Sequence, residues 1–364
     1  MNEIYLDWNA TAKMRPEVLE LVTQIMGEVG NASSVHNFGR HARKHVEGAR
    51  EQVATLCNVS AEQVIFTSGA TESINTVLSG FRDKRVLISS IEHSAVLAAA
   101  PHATKIPVTT DGLVDLDAYQ KALHDAEPPA LVSIMLVNSE IGVIQPIKEM
   151  ARMAHDVGAL FHTDAVQGAG RIDISLDNLG VDFMSLSAHK FAGPQGVGAI
   201  IFREGLELPK FMLGGGQEKN CRAGTHNTAG IAGMGLAAEL ALKNMPQYET
   251  IQKLRDDMEA RIREISNTAV IYGSKAPRVG NTTNVGINVP AQTQIMALDL
   301  DGIAVSSGSA CSSGSFKASH VLTAMGASED AAKSALRISL GYATTQADID
   351  AFLESWKKIV KRTS

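Results

Sequence analysis

A lysine stands where a buried strand gives out. Phe183–Met184–Ser185–Leu186 is an apolar run of strand length. It breaks at Ser187–Ala188–His189–Lys190, ahead of the turn residues Gly193–Pro194–Gln195–Gly196 and a second apolar run over 197–202. An ammonium at such an exit loses hydration, and desolvation disfavours its charged form. That is the condition for a nucleophilic, Schiff-base-forming amine. The same position suits a lysine whose stem packs while its head reaches solvent, and this stretch alone leaves both readings open.

A thiol is the second candidate. Cys57, Cys221 and Cys311 are too few and too scattered for a disulfide framework or a paired-cysteine metal site, and they suit a reducing compartment. Cys311 sits in Ser306–Ser307–Gly308–Ser309–Ala310–Cys311–Ser312–Ser313–Gly314–Ser315, a stretch with almost no apolar anchor. Such a loop is expected to be mobile and accessible, so Cys311 reads as a chemically active thiol. Cys57 reads as core on a helix face, and Cys221 leaves both readings open. His41 and His45 lie four apart on one helix face, a spacing that can grip a metal. Arg43 and Lys44 lie between them and the segment offers no carboxylate, so the pair reads as a solvated face.

These groups need a scaffold. Apolar strands at 85–89, 131–137, 160–162, 183–186 and 197–202 alternate with helices that include 115–124 and 147–157, which predicts a mostly parallel sheet covered on both faces. Polar residues collect just after the strands: Glu92–His93, Asn138–Ser139–Glu140, Asp164 to Gln167, and Ser187 to Lys190. In open α/β sheets the ligand crevice lies outside the carboxyl ends of the strands, so four polar sets converge on one edge. Earlier, Val64–Ile65–Phe66, the small-residue loop from Thr67 to Ser73 and a following helix form a strand–loop–helix unit. It reads either as an anion site or as a plain helix cap. From 266 onward strands at 270–272, 283–288 and 335–340 mix with helices, an α+β pattern suited to a second, smaller lobe.

Bulk properties exclude several classes. A net charge of −6 without a basic run argues against general nucleic-acid binding. No apolar stretch has the length of a membrane span, and Met1–Asn2–Glu3–Ile4 lacks the start of a signal peptide. No GxGxxG opens a βα unit, so dinucleotide binding is not supported.

From YLDWNATA to RISLG, the motifs SGATES, EHSAV, NSEIGV, HTDAVQ, SAHK, RAGTHN and SSGSACSSG follow one another in order. In this the chain resembles the NifS-like cysteine desulfurases of the class V aminotransferase family, pyridoxal 5′-phosphate (PLP) enzymes of fold type I. The resemblance implies a large domain (15–255) with a mostly parallel seven-stranded sheet. It also implies a smaller α+β domain (1–14 and 256–364) carrying the cysteine loop. It implies that Lys190 forms the Schiff base with PLP, that Asp164 keeps the pyridine nitrogen protonated, that Gln167 bonds the phenolic oxygen, and that His93 stacks on the ring and assists proton transfer. The phosphate is expected on the Ala70 and Thr71 amides and the Thr71 hydroxyl, with Ser187 and His189. Thr225 is expected to reach the phosphate of a neighbouring subunit, which implies a homodimer with shared sites. Asn138 and Arg337 are expected to hold the substrate carboxylate.

The implied reaction converts L-cysteine to L-alanine and leaves a persulfide on Cys311 for a sulfur acceptor such as an iron–sulfur scaffold, in the cytoplasm. No intrinsic metal is expected, only transient contact of that persulfide with an iron–sulfur cluster. A selenocysteine lyase, or another PLP lyase or aminotransferase on the same fold, is the alternative. The match departs from the family at Gln195, where many relatives carry lysine, and in a short C-terminal tail, which leaves the acceptor open.

Overall fold

The structure is a computed structural model and describes residues 3–307 and 317–361. Among the described residues twelve strands run in chain order as β1 (Ile4–Tyr5), β2 (Val64–Thr67), β3 (Val86–Ser89), β4 (Thr104–Ile106), β5 (Leu131–Ser133), β6 (Leu160–Asp164), β7 (Phe183–Ser187), β8 (Gly198–Phe202), β9 (Val270–Ile271), β10 (Thr282–Gly286), β11 (Ile303–Ala304) and β12 (Ala335–Ser339).

Seven of them form one sheet in the order β2-β8-β7-β6-β5-β3-β4. Strand β8 runs antiparallel to both of its neighbours, and the other adjacent pairs are parallel. The central strands are buried on both faces, which is why they read as unbroken apolar runs rather than alternating ones. Two departures from the sequence reading have physical causes. The run 131–137 pairs as a strand only over Leu131–Ser133; beyond it the chain stays beside β6 through single bonds, Ile134 N to His162 O (3.1 Å) and Leu136 N to Asp164 O (2.9 Å). Strand β4 was not foreseen. It is a three-residue edge strand of Thr, Lys and Ile with one buried side chain, so it carries no apolar signal.

One face of the sheet is covered by the long helices Asn37–Cys57 and Thr228–Lys243, which pack closely. A Cβ on Gly235 would come within 2.4 Å of Ala49 Cα, so glycine is required where the two backbones meet. The other face is covered by helices that include Ala70–Ser79.

A second core gathers residues from both ends of the chain. Strand β1 pairs with β11, β12-β10-β9 form an antiparallel sheet, and the helices Tyr248–Ile265, Ala291–Leu300 and Gln346–Lys361 pack around Leu6, Met258, Val285, Phe352 and Trp356. The buried indole of Trp356 donates to Gln294 Oε1 at 3.1 Å. No helix among the described residues is long and apolar enough to cross a membrane.

Candidate active site

Strand β7 ends at Ser187, and a single tight turn, Ala188–Lys190, carries the lysine away from the sheet. Lys190 Nζ donates to two main-chain carbonyls of the first turn of the chain, Asn9 O (2.6 Å) and Ala10 O (2.9 Å). Burial pushes its pKa down to about 8, and the neighbouring guanidiniums of Arg337 and Arg171 push the same way, against the pull of Asp164 and Asp7. The expectation of a desolvated amine therefore has a geometric cause.

Asp164 ends the adjacent strand β6. Its Oδ1 accepts the Val166 N–H at 3.0 Å. Burial raises its pKa, while the charges of His93 and Lys190 oppose that rise. Glu92 lies buried nearby, its pKa pushed up to about 8 by burial and further by Asp164. Its Oε1 accepts from Ser89 Oγ and Met135 N, and its Oε2 has no hydrogen-bond partner among the described residues. His93 caps the helix Ser94–Ala99, its Nδ1 accepting the Ala95 N–H at 3.1 Å. In the neutral ring the proton then sits on Nε2.

Gln167 and Arg171 stand one turn apart. Arg171 donates to Gln167 Oε1 (2.5 Å) and Asn9 Oδ1 (3.0 Å), and Gln167 Nε2 donates to Asn9 O (3.0 Å). Asn9 is the hub: its side chain also reaches Ser139 O and Thr282 Oγ1 and accepts from Asn281. Sequence reasoning assigned no role to Asn9, Asp7 or Arg171. The available signals were a polar turn just after β1 for the first two and a four-residue spacing from Gln167 for the third.

The loop before Ala70–Ser79 lies against the ends of β7 and β8. Gly69 takes φ +154°, and a Cβ there would point to within 3.8 Å of Ser187 Oγ; a Cβ on Gly198 would overlap Gly69 Cα at 2.7 Å. Glycine at both positions lets the first amides of the helix, at Ala70 and Thr71, sit beside Ser187. His189 Nδ1 meets Thr11 Oγ1 at 3.2 Å, and burial, with help from Lys190, pushes its pKa down to about 4.

Arg337, on β12 in the second core, donates to Asp7 Oδ1 (2.6 Å) and Ser139 O (3.2 Å), while its buried Nε has no hydrogen-bond partner among the described residues. Asn138 is buried with its amide in use: Oδ1 accepts from Glu140 N and Ile141 N, and Nδ2 donates to Ile91 O and Met135 Sδ. It brackets the turn that Arg337 touches. Cys311 lies outside the described residues, but both flanks of its segment are placed. Ser306 exchanges two main-chain bonds with Arg337, Ser319 Oγ donates to Glu140 Oε2 (2.5 Å), and His320 Nε2 lies 3.0 Å from Glu92 O.

Thr225 is exposed, and no described contact joins its side chain to the others. Its segment is tied to the same loop, because Arg222 pairs with Glu72 (2.8 and 3.2 Å) and Glu72 accepts the Ser68 N–H. His226 and Arg50 converge on buried Glu218 nearby.

Residues 4–352 match the model of the family described as aminotransferase class-V. The chain belongs to the aminotransferase class-V family. It is similar to the cysteine desulfurase IscS of Dictyoglomus turgidum, 40% identical over 376 residues that cover 99% of this chain and 95% of that protein. Among solved structures it is similar to a NifS-like protein from Rickettsia africae, with a TM-score of 0.93, 38% identity, and coverage of 99% of this chain and 100% of the other. It is also similar to SspA in complex with cysteine, with a TM-score of 0.80, 30% identity, and coverage of 93% and 98%.

Enzymes of this family depend on PLP, and the residues present fit that group. The amine is half-buried with its pKa lowered, and Asp164 is a buried carboxyl whose ionised form gains from a cation such as a protonated pyridine ring. Glycine at 69 and 198 opens a cradle of helix amides beside Ser187. An amine with a pKa of about 8 is roughly one-tenth neutral at pH 7 and half neutral at pH 8. Uptake of PLP by the cofactor-free chain, followed by absorbance, is therefore expected to speed up about fivefold from pH 7 to 8 and to level off above about pH 9. An ordinary lysine would keep gaining about tenfold per unit over that range.

Proposed function

We propose that this chain is a cysteine desulfurase that converts L-cysteine to L-alanine and keeps the sulfur as a persulfide on Cys311. The observation that carries this reading is a juxtaposition. The Lys190 amine lies within electrostatic reach of the Asp164 carboxyl and the Arg337 guanidinium, and the two flanks of the Cys311 segment are tied to Arg337 and to Glu140. Three residues separate Ser307 from Cys311 in the sequence, and four peptide steps span at most about 14 Å. Ser306, one residue further back, is paired with Arg337 itself.

Lys190 would carry the cofactor and Asp164 would hold its ring nitrogen. Ala70, Thr71, Ser187 and His189 would seat its phosphate, with Gln167 at the phenolic oxygen and His93 over the ring. PLP, when bound, supplies an electron sink that acidifies the substrate Cα proton and loosens the Cβ–S bond. Arg337 would bind the substrate carboxylate by exchanging its ion pair with Asp7 for one with the substrate. Asn138 keeps the turn beneath it in place and would join the carboxylate only by giving up Ile91 O or Met135 Sδ. Lys190 Nζ would take the Cα proton, and His93 Nε2 would hold or return one. The Cys311 thiolate attacks the substrate sulfur and forms an S–S bond. The Cβ–S bond breaks and a proton takes the sulfur's place on Cβ, so that L-cysteine and one thiol become L-alanine and one persulfide.

In the same reading two copies share their sites through the exposed Thr225. The lobes divide as 15–255 and 1–14 with 256–364, and the persulfide serves an acceptor such as an iron–sulfur scaffold in the cytoplasm. The direct test is incubation with L-cysteine and a reductant. Alanine and sulfide in equal amounts support the reading, and the absence of alanine overturns it.

Arg337→Ala is expected to raise KM for L-cysteine about ten- to a hundredfold, because a hydrogen bond to a charged group contributes roughly 1.5–3 kcal/mol. Arg337→Lys, lacking the planar fork, is expected to restore only part of that. An unchanged KM in both variants would remove Arg337 from the substrate site.

A further inference from the structure

We propose that Glu28, His41 and His45 form a site for a divalent first-row transition cation of the zinc type, separate from the PLP chemistry. The two histidines lie on one face of the helix Asn37–Cys57, their rings 4.8 Å apart. The sequence reading discounted them because no carboxylate lies in their own segment. The fold supplies one: Glu28, just past the end of the helix Pro16–Met26, brings Oε2 to 3.2 Å from His41 Nε2 and 3.1 Å from His45 Nε2. All three ligand atoms lie within 4.8 Å of one another. A tetrahedral zinc ion with bonds of about 2.0–2.1 Å has ligand–ligand edges of roughly 3.3 Å. The two edges through Glu28 already have about that length, and the third lies within 4.8 Å.

Two of the basic neighbours are engaged on the preceding loop: Arg43 Nε donates to Ala32 O (2.8 Å) and Arg40 to Val35 O (2.7 Å). Among the described residues the ion-pair partners of Glu28 are the two imidazoles. Two imidazoles and a carboxylate are a ligand set for zinc and its first-row neighbours. Three protein ligands leave the fourth position to water. The ligands flank the connection between the two helices, so a bound ion would clip the end of the first to the start of the second. By mass action it would raise the stability of the folded chain.

The test uses the PLP-loaded full chain, freed of metal by chelation and desalting, and titrated with Zn2+ by calorimetry and with Co2+ by visible absorption. The wild type is expected to bind about one more cation per chain than a His41→Ala/His45→Ala variant. Its Co2+ spectrum should be that of nitrogen and oxygen ligands without a thiolate band, and its melting temperature should rise with Zn2+ while the variant's does not. Glu28→Gln, a change at the surface, should weaken binding by at least about tenfold and covers the case in which the double variant folds poorly. Equal stoichiometry and affinity in wild type and Glu28→Gln, or a Co2+ spectrum carrying a thiolate band alone, would overturn the assignment.

Discussion

Lys190→Ala is expected to abolish turnover of L-cysteine, lowering the rate by at least about a thousandfold, and to leave the purified chain without covalently held PLP. The size of the effect follows from two roles that fall on one atom. Nζ is the only described amine placed against Asp164 and Arg337 by its electrostatics, and a positioned proton acceptor alone contributes roughly 10²–10⁴-fold. The fold should survive the change. Lys190 donates to the carbonyls of Asn9 and Ala10, but it also crowds two buried guanidiniums, Arg171 and Arg337, whose charges push its pKa down. Losing two hydrogen bonds and relieving like-charge repulsion partly cancel, so the melting temperature is expected to move by only a few degrees. Retained turnover with bound cofactor would show that another group carries the chemistry.

Cys311→Ser separates the sulfur step from everything before it. A serine hydroxyl is not ionised near neutral pH and does not accept sulfur, whereas an ordinary thiol is ionised to a few per cent. The variant is therefore expected to keep its PLP absorbance and the spectral change on adding L-cysteine, because Lys190, Asp164 and Arg337 are untouched. Sulfide release should fall to background. Unchanged sulfide release from the serine variant would assign the sulfur to a different acceptor.

Lys190, Asp164, Asn138 and Ser187 stand out in the sequence because they lie where buried apolar strand runs give way, at the carboxyl ends where an open α/β sheet has its crevice. The seven-stranded sheet was legible for the same reason, except for β4, whose exposed edge has no apolar pattern to read. Residues whose importance rests on long-range pairing were not legible. Asn9 reads as one more polar residue in a turn, yet its contacts lie at 139, 167, 171, 190, 281 and 282. His162 reads as a strand residue. It is held neutral, its pKa pushed down to about 3 by burial, between Ser133 Oγ (2.8 Å) and Ser185 Oγ (2.9 Å) on the two flanking strands. Glu28 shows the same gap. A carboxylate outside the histidine segment joins His41 and His45 only when the connecting loop folds back.

The central claim is that sulfur leaves substrate for the thiol at position 311. It is tested most directly by treating the PLP-loaded protein with L-cysteine, without reductant, alkylating it, and mapping its peptides by mass spectrometry. One additional sulfur atom on the peptide that contains Cys311, formed in step with alanine, is the predicted result. Alanine formed at full yield while that peptide gains no sulfur would contradict the account.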